Sequence, residues 1–170
     1  IEGLDGIDRL YGNEGDDYLD GGAGNDLLYG HDGHDMILAG DGNDIIYAHS
    51  GDDEVHGGLG VDRIYGDIGN DTIYGDEGND YLYGQDGDDE IHGGAGVDRM
   101  YGNVGDDLIF GGDGDDIAYG NEDNDTLHGG LGEDRLYGND GDDTIYGDEG
   151  NDKLYGLSLI HISEPTRRTP

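Results

Sequence analysis

From Gly3 to Tyr155 the chain repeats a nine-residue unit, Gly-Gly-x-Gly-x-Asp-x-U-x with U a large aliphatic, without an insertion or a deletion. Seventeen units fill these 153 residues. A fixed short period is the signature of a solenoid, in which each unit buries its apolar face only against its neighbours. The sixth position is Asp in every unit: Asp8, Asp17, Asp26, Asp35, Asp44, Asp53, Asp62, Asp71, Asp80, Asp89, Asp98, Asp107, Asp116, Asp125, Asp134, Asp143 and Asp152. A carboxylate this regular, framed by glycines, reads as an array of metal ligands.

Without that order the composition would point to a disordered chain. Of 170 residues, 43 are Asp or Glu and only 7 are Lys or Arg, giving a formal charge of −36, and high net charge with few apolar residues opposes a packed core. The period overrides this reading. The charge repels nucleic acid and anionic lipid and attracts cations. No window is long and apolar enough to suggest a transmembrane segment, and no signal peptide is recognisable. Cysteine is absent, so disulfides play no part in the expected fold. Neither H-E-x-x-H nor G-x-S-x-G occurs, and no catalytic or cofactor-binding residue is expected.

The remaining positions describe the unit. Position one is Gly in 15 of 17 units, with Ala39 and Ala48 the exceptions, and position four is Gly in 16, with Asp123 the exception. Such glycines mark sites of positive φ or close backbone approach, and their density excludes helix. The last three residues, x-U-x, are expected to form a strand of one pleat with one side chain in and two out. Each unit then reads as a tight loop followed by a minimal strand. A 36-residue period overlays the short one: His56, His92 and His128 recur at that spacing, as do Arg63, Arg99 and Arg135. If two units make one turn of 18 residues, these matched residues stack on one sheet.

With these features the chain resembles the haemolysin-type, or RTX, calcium-binding repeats, whose signature is this nonapeptide. The resemblance spans about nine-tenths of the sequence. It implies an all-β fold, a right-handed parallel β-roll (a β-solenoid) with two units per turn over residues 1–156. Odd and even units would supply its two sheets, with calcium ions lining the loops. It also implies a secreted bacterial protein, extracellular or associated with the cell surface, exported by the type I secretion machinery.

Calcium suits the residues themselves. It is a hard ion that takes six to eight oxygens, and Asp carboxylates with backbone carbonyls supply them. One loop offers too few, so a site should need two loops stacked a turn apart, pairing Asp8 with Asp26, Asp26 with Asp44, and, in the other row, Asp17 with Asp35. Nine loops in one row and eight in the other allow at most about 15 sites. Seventeen inward aliphatics are a thin interior against the entropy of ordering so long a glycine-rich chain, so the metal-free chain is expected to be unfolded. Sites touching Ala48, His49 and Ser50, or Asp123, should be the weakest, although Asp tolerates left-handed backbone better than most residues.

Other residues carry weaker signals. Position nine is Tyr in 11 of 17 units, which fits a ladder of stacked rings on parallel strands or a row of aromatic platforms for carbohydrate or another partner. His56, His92 and His128 would lie about 10 Å apart, two strand spacings, and so cannot share a zinc ion. The spacing of His31 and His34 is a weak signal. Arg63, Arg99 and Arg135 face outward and are expected to pair with nearby carboxylates; a contact line for an acidic glycan is opposed by the surrounding negative charge. Both ends read as cut. Residues 157–170 differ wholly in composition and resemble a translated sequencing adapter, a non-native or disordered tail. The functions left open are a calcium-folded module, a calcium-stabilised adhesion or carbohydrate-binding module, and the non-catalytic repeat region of a secreted protease, lipase or polysaccharide-modifying enzyme.

Overall fold

The computed structural model describes residues 1–156 and 161–163. Every strand pairing is parallel. The register advances by 18 residues, Arg9 opposite Leu27 and Leu27 opposite Ile45, so two nonapeptides make one turn of a β-solenoid. One sheet runs in the order β1 (Arg9–Glu14), β3 (Leu27–Asp32), β5 (Ile45–Ser50), β7 (Arg63–Ile68), β9 (Tyr81–Asp86), β11 (Arg99–Val104), β13 (Ile117–Glu122), β15 (Arg135–Asp140) and β18 (Lys153–Tyr155). The facing sheet holds β2 (Tyr18–Ala23), β4 (Met36–Asp41), β6 (Glu54–Gly60), β8 (Thr72–Gly78), β10 (Glu90–Ala95), β12 (Leu108–Asp113), β14 (Thr126–Gly132), β16 (Thr144–Tyr146) and β19 (His161–Ser163), and the short β17 (Glu149–Gly150) also pairs with β14. Of the segment 157–170, residues 157–160 and 164–170 lie outside the described residues; His161–Ser163 run parallel to β16.

The core is the two rows of position-eight side chains. Leu19, Leu28, Ile37, Ile46 and their equivalents through Ile145 are fully buried, Leu10 nearly so, and Leu154 packs partly against them. The exception in the pattern, Ala118, is buried too. It lies in register with Met100 on β11, a long flexible side chain suited to filling an irregular gap. Because each unit touches only its neighbours, a single truncation acts locally but fully. Ile73→Ala is expected to lower stability by about 2–5 kcal/mol, read as a fall in the urea midpoint of the folded chain.

Two features of the unit depart from its sequence reading. Most strands are six residues long, not three: β1 runs through positions seven, eight and nine and on into positions one, two and three of the next unit. Only positions four to six remain as a turn. The stacked-ladder hydrogen bonds explain this, because carrying the pairing into position three satisfies backbone groups that a free loop would leave unpaired. The glycines also divide their roles. Position-four glycines such as Gly60 take positive φ, here +131°, where a side chain is strained. Asp123, the one substitution at that position, takes φ +73° and keeps the path. Position-one glycines instead serve close approach, as described next.

Candidate metal centre

The position-six aspartates form the two predicted rows, one along each edge of the roll where strands of one sheet cross to the other. They are buried despite their charge: Asp62, Asp98 and Asp116 are fully covered, and the rest from Asp26 to Asp143 are almost so. Each row is tied by a ladder from turn to turn. The Asp44 N–H donates to Asp62 Oδ1 at 2.8 Å, and the Asp62 N–H donates to Asp80 Oδ1 at 2.8 Å. The aspartates the sequence paired are thus neighbours, Asp8 with Asp26 and Asp17 with Asp35, joined through a backbone donor. The ladder consumes one oxygen per carboxylate. The other, Oδ2, is buried without a hydrogen-bond partner in sixteen of the seventeen; Asp17 is the exception.

These leftover oxygens and main-chain carbonyls crowd the same space beside position-one glycines. A methyl group placed on Gly57 would meet Asp62 Oδ2 at 2.7 Å and the carbonyl oxygen of Gly75, one turn on, at 2.8 Å. The same two partners surround Gly75, with Asp80 Oδ2 at 2.8 Å and the Gly93 carbonyl at 2.5 Å. At these units position one is glycine because a carboxylate oxygen and a carbonyl oxygen from successive turns occupy the space a side chain would take; Ala39 and Ala48, the two exceptions, are fully buried there. A buried carboxylate oxygen with no donor is unfavourable unless a cation or a proton meets it. No three His, Cys, Asp or Glu side chains are grouped so that they alone could hold a metal ion among the described residues. The oxygens gathered here are one carboxylate and main-chain carbonyls, the donor set a hard divalent cation takes.

Burial governs the electrostatics. It pushes the carboxyls of Asp71, Asp80, Asp89, Asp107, Asp116 and Asp125 up to about 7. Those of Asp44, Asp53, Asp62, Asp98 and Asp134 are pushed up to about 6. The N–H donated into Oδ1 works against this rise, and for most of them the carboxylates one turn away add to it. A buried anion without a partner is an unfavourable state for the ionised group, which a bound cation would relieve.

A second ladder escaped the sequence reading. Position five is Asn or Asp in 12 of 17 units, and its side-chain oxygen accepts the N–H of the same position one turn on, as Asn43 does from Val61 at 2.8 Å and Asp52 from Asn70 at 2.9 Å. It runs opposite to the position-six ladder, so each turn is held from both sides. His34 takes the same place, its Nδ1 accepting the Asp52 N–H at 2.8 Å. The enrichment in Asn and Asp was the available signal. Position two was missed too. Its φ is positive in every unit, eleven of them not glycine, among them Asn13, His31, Asp67 and Asn103; its Gly, Asn, Asp and His content is the mark of that conformation.

The outward rows resolve into ladders. The nine tyrosines from Tyr11 to Tyr155 on the β1-to-β18 sheet stack at 4.6–5.3 Å between centroids, within 10° of parallel. Each interior ring has both faces covered, so the row is no set of open platforms. On the other sheet His56, Tyr74, His92, Phe110, His128 and Tyr146 stack in sequence at 4.5–5.1 Å. The three histidines are separated by a ring each and share no ion. His56 and His92 meet Glu54 and Glu90, and His128 meets Asp148. His31 and His34 are not brought together: His31 stacks on His49. The arginines differ from expectation. Arg63, Arg99 and Arg135 form no ion pair among the described residues; Arg63 and Arg99 lie over the two sides of the Tyr81 neighbourhood, 5.5 and 5.4 Å from its ring centroid, and Arg99 Nη1 donates to the Tyr81 hydroxyl at 2.7 Å. The strand register offers each arginine an aromatic or aliphatic neighbour where a carboxylate was expected.

A comparison with curated protein sequences found no match. Residues 2–37, 29–64, 65–100, 92–127, 101–136 and 128–158 match the family model of the RTX calcium-binding nonapeptide repeat, and together with a parallel β-solenoid whose buried acid rows lack partners they place the chain in that family, whose repeats bind calcium ions.

Proposed function

We propose that the seventeen position-six aspartates are the calcium ligands of this chain and that calcium binding drives its folding. The observation that carries this reading is the file of buried Oδ2 atoms without a hydrogen-bond partner, many of them sharing the space beside a position-one glycine with a main-chain carbonyl of the next turn. Asp62 Oδ2 with the Gly75 carbonyl, and Asp80 Oδ2 with the Gly93 carbonyl, are two such places. A bound Ca²⁺ supplies the positive charge these oxygens lack and ties adjacent turns. The chain's own part is to hold the oxygens: the N–H→Oδ1 ladder fixes each carboxylate rotamer, and glycine at position one leaves the space open. Ligands that exist only when two turns are stacked make binding and folding one equilibrium.

Such coupling suits a protein that crosses a membrane unfolded and folds outside. Extracellular calcium modules work at roughly 10⁻⁴–10⁻³ M, far above what a cytosol offers. Membership in a family typical of secreted proteins supports placing this module in a secreted protein exported by type I secretion.

Calcium added to the chelated, desalted chain at pH 7.5 is expected to turn a coil spectrum into a β spectrum by circular dichroism. EDTA should reverse the change, and Mg²⁺, which demands six close ligands in octahedral array, should not reproduce it. A β spectrum indifferent to chelation would overturn the proposal.

A further inference from the structure

The positive charge of the repeats is gathered on one line. The sequence has 7 Lys and Arg; two, Arg167 and Arg168, lie outside the described residues. The other five, Arg9, Arg63, Arg99, Arg135 and Lys153, all stand at position seven of the β1-to-β18 sheet, in register across it. All five are exposed, and none forms an ion pair with a carboxylate among the described residues. Between them the row holds Leu27, Ile45, Tyr81 and Ile117, and the parallel row at position nine is the tyrosine ladder. The outer face of this sheet thus carries no acid at either position, in a chain with 43 of them. The other sheet places Asp20, Glu54 and Glu90 on its outer face. In the turns beside the basic row Val61 and Val97 are exposed next to Arg63 and Arg99, with Asp115 and Glu133 at the same position nearer Arg135, while the opposite edge presents Asp16, Asp52, Asp88, Asp106 and Asp142 there.

We infer that this row is a docking line for a linear carboxylated polysaccharide. Charge complementarity selects an anionic partner around Arg63 and Arg99, where Val61, Ile68, Val97 and Val104 hold the flanking turn and strand-end positions; the acids of this sheet, Asp67 and the strand-end Glu14, Asp32, Asp86, Glu122 and Asp140, lie beyond the tyrosine ladder. Geometry selects an extended polymer. Arg63, Arg99 and Arg135 follow one another at two strand spacings, about 9.6 Å, the order of a disaccharide repeat in an extended chain. A guanidinium fork takes a carboxylate with two parallel hydrogen bonds, and the aliphatic residues between the arginines suit the apolar faces of sugar rings. Tyr81, flanked by two guanidinium groups, holds them in place. Duplex nucleic acid fits poorly, because one charge per roughly 1.7 Å would lay most phosphates over the acidic flanks. The surface goes beyond the calcium sites and needs only the folded roll.

The test is calorimetric titration of the calcium-saturated chain with a hyaluronan decasaccharide, which bears a carboxylate on alternate sugars, against neutral maltodecaose and a poly-glutamate peptide. Binding of the hyaluronan fragment alone is expected, weakening as salt rises. The triple variant Arg63→Glu/Arg99→Glu/Arg135→Glu should lower affinity at least tenfold, whereas Glu54→Gln/Glu90→Gln on the other sheet should leave it unchanged. The calcium-induced circular dichroism change of each variant is recorded in parallel, so that loss of the fold is separated from loss of the surface. Absence of hyaluronan binding to the folded chain, equal binding by the triple variant, or preference for the peptide would each overturn the inference.

Discussion

Taken from pH 8 to pH 5 in EDTA, the metal-free chain is expected to gain β structure. The sign follows from the buried carboxyls. In the unfolded chain an aspartate titrates near 3.9, whereas in the roll burial pushes Asp71, Asp80, Asp89, Asp107, Asp116 and Asp125 up to about 7 and five others up to about 6. Between about pH 4 and 7 the folded state therefore binds more protons than the unfolded one, and stability falls as pH rises. The contribution is fully present below about pH 4 and is lost through the range 6–7. A proton on Oδ2 does in part what a cation would do: it removes an unpaired buried charge. Far-UV circular dichroism at pH 8, 7, 6 and 5 reads the effect, in high salt so that repulsion among exposed carboxylates is screened. The calcium midpoint should move the opposite way, rising as pH falls from 8 to 6, because the ion and the proton compete for one oxygen. A metal-free chain that loses structure on acidification would contradict the burial of these groups.

Much of this site was legible in the sequence because its chemistry is periodic. An invariant Asp every nine residues, with glycine at fixed offsets and one aliphatic two places on, fixes a solenoid and its two acid rows without reference to any contact. What stayed hidden depends on how successive turns meet. The sequence does not show that Oδ1 of Asp62 is spent on the Asp44 N–H, which halves what each carboxylate offers. Nor does it show that pairing continues into position three, since Glu14 and Asp32 at the ends of β1 and β3 carry no strand propensity; the neighbouring turn imposes the extended backbone. The positive φ at position two hides behind eleven side chains, and only their bias toward Asn, Asp and His betrays it. Arg63 misled for a related reason. In a chain so acidic a carboxylate partner looks assured, yet parallel register puts like position beside like, and position seven of this sheet holds no acid.

Asp80→Asn and Asp80→Ala are expected to part company, and their divergence separates a ligand from a structural strut. Asp80 Oδ1 accepts the Asp62 N–H at 2.8 Å, and its own N–H donates to Asp98 Oδ1 at 2.8 Å, while Oδ2 has no partner. Asparagine keeps the accepting oxygen and replaces Oδ2 with a neutral amide N–H₂ that can donate toward the Gly93 carbonyl, which shares the pocket beside Gly75. The metal-free roll should therefore be easier to form, and a lower concentration of trimethylamine oxide, which strengthens burial, should fold it at pH 7.5. The same substitution removes an anionic ligand oxygen and sets a donor in its place, so the calcium midpoint should rise several-fold. Alanine removes both oxygens. It leaves the buried Asp62 N–H without an acceptor, a loss of about 1–3 kcal/mol, so it should need more osmolyte and more calcium alike. A carboxylate that served only to brace the turn would show Asn near wild type in both titrations. Opposite shifts for Asn, with parallel losses for Ala, are what an oxygen held in readiness for a cation requires.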